Sequence, residues 1–88
     1  SAIAVRRDIY VADSRADAEA ATGAIVKAGY RGFDPGALVI GTVDEVVARF
    51  RALGELGATD VIVRHVTDEQ PFVLASLARL AQVRKALA

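Results

Sequence analysis

The fold is decided by the stretch Thr59-Asp60-Val61-Ile62-Val63-Arg64-His65-Val66. Its centre is a continuous β-branched run, which is typical of a strand whose two faces are both covered. We therefore predict a strand over Thr59–Val66 at the centre of a parallel sheet. The segment Thr67-Asp68-Glu69-Gln70-Pro71 combines a cap residue, acidic residues and an early proline, so a helix is predicted from there towards Ala86. Arg79 on this helix is expected to be a solvated charge.

A second helix is predicted on the amino-terminal side of this strand. The segment Thr42-Val43-Asp44-Glu45 has the form of a capping box, in which the threonine and the glutamate satisfy the first amides of a helix. Apolar residues then recur three and four positions apart to about Leu56, and Gly57 ends the helix. The apolar run Ala37-Leu38-Val39-Ile40 leads into Gly41 and is not counted as a strand.

The amino-terminal third of the chain predicts one more strand and one more helix. Apolar and polar residues alternate over Ile3–Val11, which is the pattern of a strand. Ser14-Arg15-Ala16-Asp17 resembles a capping box, and the helix should cover Arg15–Ala28 with Gly29 as its terminating residue. Glycines and a proline indicate a loop over Tyr30–Gly36.

The order strand, helix, loop, helix, strand, helix predicts an α/β fold over a single segment, residues 1–88. Strands that are joined through helices run parallel. Two strands leave unpaired backbone groups at both outer edges, so the predicted sheet is incomplete and needs further strands. We therefore expect the chain to self-associate as a homo-oligomer or to belong to a larger sheet.

Composition excludes several classes of function. Eleven basic and eleven acidic residues give no net charge, so nucleic acid and anionic membranes are not expected as partners. The chain has no cysteine, which excludes disulfides and thiol catalysis, and the single His65 cannot build a multi-histidine metal site. No apolar run approaches the roughly 20 residues of a spanning helix, so a cytoplasmic location is expected. The absence of methionine suggests a piece of a longer chain.

Four segments together resemble the carboxyl-terminal end of bacterial-luciferase-like flavin-dependent monooxygenases. They are Arg7-Asp8-Ile9-Tyr10-Val11-Ala12-Asp13-Ser14, Ala18-Glu19-Ala20, Gly41-Thr42-Val43-Asp44-Glu45-Val46, and Leu53-Gly54-Glu55-Leu56-Gly57-Ala58-Thr59-Asp60-Val61-Ile62-Val63-Arg64. The resemblance implies the last two units of a (β/α)₈ barrel, whose other units would be supplied by the rest of the parent chain. It also implies FMN or a deazaflavin at the barrel mouth of the intact protein, with the flavin supplying the redox chemistry.

Arg64 and His65 end the second predicted strand, and the carboxyl ends of barrel strands face the active site. Under the resemblance, Arg64 could bind the flavin phosphate or an acidic substrate; the alternative is a salt bridge to Asp60, Asp68 or Glu69. His65 is expected to be a hydrogen-bonded packing residue rather than a general base, because no titratable partner is identifiable.

Gly41 and Thr42 open a helix whose first amides could bind a phosphate, and they complete the set of candidate cofactor-binding residues with Arg64. The alternative is that Thr42 occupies those amides itself. Arg7 or Asp8 could line a polar barrel lumen, although an internal ion pair or a charge-guarded sheet edge is the preferred explanation.

These observations leave two functions open. The first is a carboxyl-terminal fragment of a flavin-dependent luciferase-like monooxygenase or oxidoreductase, which is inactive and binds no cofactor by itself. In that case Tyr30 and Phe33 could belong to an active-site lid, and simple packing on the rim is the alternative. The second function is a small non-catalytic α/β interaction module that self-associates through its sheet edge.

Overall fold

The computed structural model describes residues 2–29 and 37–88. The loop predicted at 30–36, with Tyr30 and Phe33, lies outside the described residues. The elements alternate between strand and helix: β1 (Ala4–Ala12), α1 (Arg15–Lys27), β2 (Leu38–Thr42), α2 (Val43–Glu55), β3 (Asp60–His65) and α3 (Gln70–Leu87). The α/β class is therefore confirmed.

The three strands form one parallel sheet in the order β2-β1-β3. The prediction of parallel strands is confirmed, and two other predictions were wrong. The short apolar run before Gly41 is a third strand, β2, which pairs with the carboxyl-terminal half of β1. The strand predicted at the centre of the sheet, β3, lies at its edge, and β1 takes the central position.

The helices lie on both faces of the sheet. The chain moves from β1 to β2 in one direction through α1, and from β2 past β1 to β3 in the other direction through α2. Because both crossovers of a parallel sheet take the same hand, a reversal of direction puts the helices on opposite faces. This arrangement makes β1 the most enclosed strand.

Each face of β1 carries its own apolar cluster. On one face, β1 and β2 pack against α2 and α3 through Ile9, Val11, Val39, Val46, Val47, Leu80 and Val83. On the other face, the cluster consists of Tyr10, Ala12 and Ala21, with Ala18, Ile40 and Phe72 packed against it. Alanine on α1 lets this helix approach the sheet closely, as the sequence pattern of small residues indicates.

The predicted caps of the first two helices are confirmed. The Ser14 hydroxyl accepts a hydrogen bond from the Asp17 amide at 3.1 Å, and Glu45 Oε1 accepts one from the Thr42 amide at 3.0 Å. Both helices are followed by a glycine with positive φ, Gly29 at 80° and Gly57 at 106°, a conformation that other residues rarely adopt. Local signals therefore determine where α1 and α2 begin and end.

None of the three described helices has both the length and the apolar character that crossing a bilayer requires.

Candidate functional site

The apolar run of β3 is exposed at the sheet edge. Ile62 is 56% exposed and points to the α1 face, and Val63 is 36% exposed on the face of α2 and α3. Within residues 2–29 and 37–88, β3 pairs with β1 alone, so its outer backbone edge has no strand beside it. A strand with this composition normally has both faces covered, and here neither face is.

A groove of about 840 Å³ lies against β3 on the face of α2 and α3. We call it the β3 groove. Its lining includes Val61 and Val63 from the strand, Phe50 from α2, and Leu80 and Leu87 from α3. Apolar side chains thus continue from the exposed strand edge onto the flank of α3, and the charged residues Arg51, Glu55 and Arg84 also line the groove.

A polar cluster occupies the carboxyl end of the sheet, where β1 ends. Asp17 Oδ2 accepts hydrogen bonds from the Tyr10 hydroxyl at 3.0 Å and from the Asp13 amide at 3.0 Å. Arg79 reaches the same oxygen at 3.4 Å and also donates to the Val11 carbonyl at 3.2 Å. Burial and the hydrogen bond with Asp17 raise the pKa of Tyr10, so its hydroxyl stays protonated and donates.

Ser76 of α3 provides a hydrogen-bond partner for a backbone amide of β1. The pairing of β1 with β3 ends at Ile9, and the next amide on that side, that of Val11, bonds to Ser76 instead. Its hydroxyl accepts the Val11 N–H at 2.8 Å and lies 2.8 Å from His65 Nε2. Because the hydroxyl oxygen already accepts the amide, its own proton is available to the Nε2 of neutral His65. Burial lowers the pKa of His65, which favours this neutral form.

The Ser76–His65 pair does not form a reactive nucleophile and base. Ser76 is 0% exposed, so no substrate atom can approach its hydroxyl. Both side chains already serve the fold, the serine as a backbone cap and the histidine as its hydrogen-bond partner. The expectation that His65 is a hydrogen-bonded packing residue agrees with this geometry.

The structure does not bring the three candidate cofactor-binding residues together. Thr42 lies beside Ala12 and Arg64 lies beside Asp8, on opposite sides of β1. With neighbouring strands about 4.8 Å apart and a rise of about 3.3 Å per residue, their backbones are about 16 Å apart. Gly41 lies next to Thr42 in β2. We call these two residues, which stand where β2 ends and α2 begins, the Gly41-Thr42 turn; this turn and Arg64 are too far apart to bind one phosphate.

The polar groups of Thr42 in the Gly41-Thr42 turn are occupied by hydrogen bonds to the Glu45 side chain. Glu45 Oε1 accepts from both the amide and the hydroxyl of Thr42, at 3.0 and 3.1 Å. These hydrogen bonds hold the pKa of Glu45 below its usual value. A Cβ at position 41 would lie 2.9 Å from the Cβ of Glu45, so glycine is needed there for close approach. The turn therefore has a structural explanation that needs no ligand.

The charged residues of β1 and β3 do not form the ion pairs considered above. Arg64 is exposed, and neither Asp60, Asp68 nor Glu69 lies within ion-pair distance of it in the described structure. Asp8 is only 4% exposed, and its Oδ2 has no hydrogen-bond partner among the described residues. Arg64 is its neighbour in the register of β1 and β3, but its side chain does not reach the carboxylate.

A second cavity, of about 310 Å³, lies at the carboxyl ends of β1 and β2. Its charged lining residues are Asp13, Asp44 and Arg79. With two carboxylates and one guanidinium, this lining carries an excess of one negative charge, and Arg79 is also paired with Asp17. Such a lining disfavours an anionic group such as a flavin phosphate.

Sequence reasoning missed Ser76 and Arg79, which hold α3 on the carboxyl end of β1. Arg79 was expected to be a solvated charge, and this expectation was wrong. Ser76 interrupts the apolar stripe of α3 between Phe72 and Leu80, and a single hydroxyl on a buried helix face is the signal that could have revealed it.

The described residues form a small α/β protein with a three-stranded parallel sheet and three helices. Comparisons with protein-family models, with curated proteins and with solved structures find no match for the chain. The function is therefore argued from the surface itself.

Proposed function

We propose that this chain is a small α/β interaction module that self-associates through the outer edge of β3. The observation that carries the proposal is the apolar run Val61-Ile62-Val63 at an exposed edge. A strand edge with this composition is a template for pairing with another strand. Pairing with a second copy covers the backbone groups of the edge and buries the side chains beside it.

The β3 groove extends the contact beyond the strand. Leu77 is 48% exposed and Leu87 is 38% exposed on the flank of α3. Leu77, Leu80 and Leu87 follow the spacing of one helical stripe, and the last two line the groove. A partner at the strand edge lies next to this stripe, so backbone pairing and apolar burial act on one surface.

The overall charge favours association of identical chains. Eleven positive and eleven negative residues leave no net charge, so two copies do not repel one another at long range. The edge itself carries one residue of each sign, Asp60 and Arg64. The charges of the β3 edge therefore allow it to contact the same edge of a second copy.

Light scattering over a concentration series tests the proposal. We expect the mass to rise from 9.2 kDa to twice that value in the micromolar range. Ile62→Lys places a charge on the edge and removes apolar burial from both copies, which amounts to about 3 kcal/mol or more and raises Kd at least roughly 100-fold. A mass that stays at 9.2 kDa at every concentration contradicts the proposal.

Leu56→Lys is the matched control for Ile62→Lys. Leu56 is 85% exposed and lies at the end of α2, outside the lining of the β3 groove. Leu56→Lys also replaces an exposed aliphatic side chain by a lysine, but it leaves the strand edge unchanged. Equal weakening by both variants would mean that the loss comes from charge in general and not from β3.

The second candidate is a carboxyl-terminal segment of a luciferase-like flavin-dependent oxidoreductase. Its support is the resemblance of the segments around Gly41 and Arg64, together with the parallel sheet. In a (β/α)₈ barrel, however, consecutive strands are neighbours and the helices surround the sheet on its outer side. The order β2-β1-β3 with helices on both faces differs from that plan. The interaction module is therefore the better-supported proposal.

Titration with FMN tests whether the chain binds a flavin by itself. We expect no detectable change in flavin fluorescence on adding the chain, because Gly41-Thr42 and Arg64 lie on opposite sides of β1 and cannot enclose one flavin. Saturable quenching in the micromolar range would contradict this expectation. If it occurred and Arg64→Ala abolished it, a flavin site would be supported over the interaction module.

A further inference from the structure

The outward-facing backbone groups of β3 belong to alternate residues. Val66 donates its amide to the Ile9 carbonyl, and Ile9 stands opposite His65 in the register. In a parallel pair, this pattern turns the amides and carbonyls of Ile62 and Arg64 towards β1. The corresponding groups of Val61 and Val63 therefore face away from the sheet, where a second strand can bind them.

A dimer of identical chains restricts how two such edges meet. A two-fold axis makes the contact isologous, so the two β3 strands pair in antiparallel orientation. In an antiparallel pair, the sequence number of a residue in one copy plus that of the residue opposite it in the other copy is the same along the whole contact. The side chains of two opposite residues lie on the same face of the sheet. The outward-facing hydrogen-bonding groups belong to odd-numbered residues such as Val61 and Val63, and these must stand opposite one another. The sum of two opposite positions is therefore even.

One of these registers matches both charge and apolar character. With Ile62 on the two-fold axis, Asp60 of each copy stands opposite Arg64 of the other, and Val61 stands opposite Val63. A shift of two positions in either direction sets Ile62 opposite a charged residue. Opposite charges stabilise a cross-strand pair, and a charge facing an exposed apolar side chain leaves both poorly paired.

From this self-complementarity, which rests on the proposed function, we infer that β3 pairs with its own copy in antiparallel register about Ile62. The two sheets join into one six-stranded sheet, because each copy contributes its three strands. Val61 and Val63 exchange backbone hydrogen bonds across the axis. Asp60 and Arg64 select the register.

Cysteine cross-linking tests the register directly, since the chain contains no cysteine of its own. Two Ile62→Cys copies meet on the axis, where opposite residues have Cα atoms about 4.5 Å apart, which suits a disulfide. Asp60→Cys alone should not cross-link, because the two copies of position 60 are about 13 Å apart. A mixture of Asp60→Cys with Arg64→Cys should form the mixed disulfide, with Ile62 retained.

The outcomes separate the register from the proposed function. Leu56→Cys is the control for random collision, because Leu56 is 85% exposed and belongs neither to β3 nor to the lining of the β3 groove. If the wild-type chain is a dimer but Val61→Cys or Val63→Cys cross-links in preference to Ile62→Cys, the register is wrong while self-association stands. If the wild-type chain is monomeric, the proposed function itself fails.

Charge reversal gives a second readout. Asp60→Arg and Arg64→Asp should each weaken the dimer at least roughly fivefold, because like charges then face one another at both ends of the contact. The double variant Asp60→Arg with Arg64→Asp restores opposite charges and should recover the wild-type Kd. A double variant that is weaker than either single variant overturns the assigned pairing.

Discussion

Replacing Tyr10 by alanine is expected to remove a large part of the stability of the protein. Tyr10 is 0% exposed on the central strand and is the largest of the fully buried side chains. Loss of a buried aromatic side chain costs roughly 3 to 5 kcal/mol, and small domains are stable by only about 5 to 15 kcal/mol. Urea unfolding followed by circular dichroism measures the free energy of unfolding for this variant.

Tyr10→Phe separates the ring from the hydroxyl. The ring packs edge-on against Phe72 with centroids 6.1 Å apart, and this contact is kept by phenylalanine. Only the hydrogen bond to Asp17 is lost, and Asp17 retains its bonds with Asp13 and Arg79. We expect a loss of about 1 to 2 kcal/mol. Equal losses for Tyr10→Phe and Tyr10→Ala would show that ring packing contributes little.

The sequence predicted the helices well because their boundaries depend on local chemistry. Ser14 and Thr42 precede α1 and α2 as cap residues, and Gly29 and Gly57 follow them. The signals lie within a few positions of the boundary that they determine. These helix boundaries can therefore be predicted without knowing which distant residues pack against the helix.

The order of the strands could not be predicted in the same way. β2 has five residues, ends in Gly41-Thr42 and overlaps the cap of α2, so its pattern is too short to distinguish from a loop. Its pairing with β1 becomes visible only in three dimensions. β3 has the composition of a central strand but an edge position, and this mismatch between pattern and exposure is the basis of the proposed self-association.

The candidate site was predicted only in part. Arg64 was singled out from the sequence as a cofactor-binding residue, whereas the strand that contains it was predicted at the centre of the sheet and lies at its edge. The Asp17–Arg79 pair joins residues 62 positions apart, on α1 and α3. No local pattern reports such a pair, because it depends on how the two helices meet around the end of β1.

Removing the Ser76 hydroxyl is the second prediction with a large expected effect. In Ser76→Ala, the Val11 N–H is left buried without a partner, and His65 Nε2 loses its hydrogen bond with α3. An unsatisfied buried donor costs about 1 to 3 kcal/mol. We expect a loss of that size in urea unfolding at about pH 8, where an unperturbed histidine is neutral. Ser14→Ala is the control, because it removes an exposed hydroxyl that also accepts a backbone amide.

The pH dependence of stability tests the histidine side of the same contact. Because burial lowers the pKa of His65 in the folded chain, the unfolded chain binds a proton more readily. The contribution of His65 is thus present above its unfolded pKa of about 6.5 and is lost as the pH falls through the lower folded pKa. We expect the wild-type free energy of unfolding to fall between about pH 7.5 and about pH 5.5, and to fall less in His65→Gln. An equal fall in both proteins would show that His65 is not the source of the pH dependence in this range, because Glu45, whose pKa is also lowered, loses its contribution only at more acidic pH.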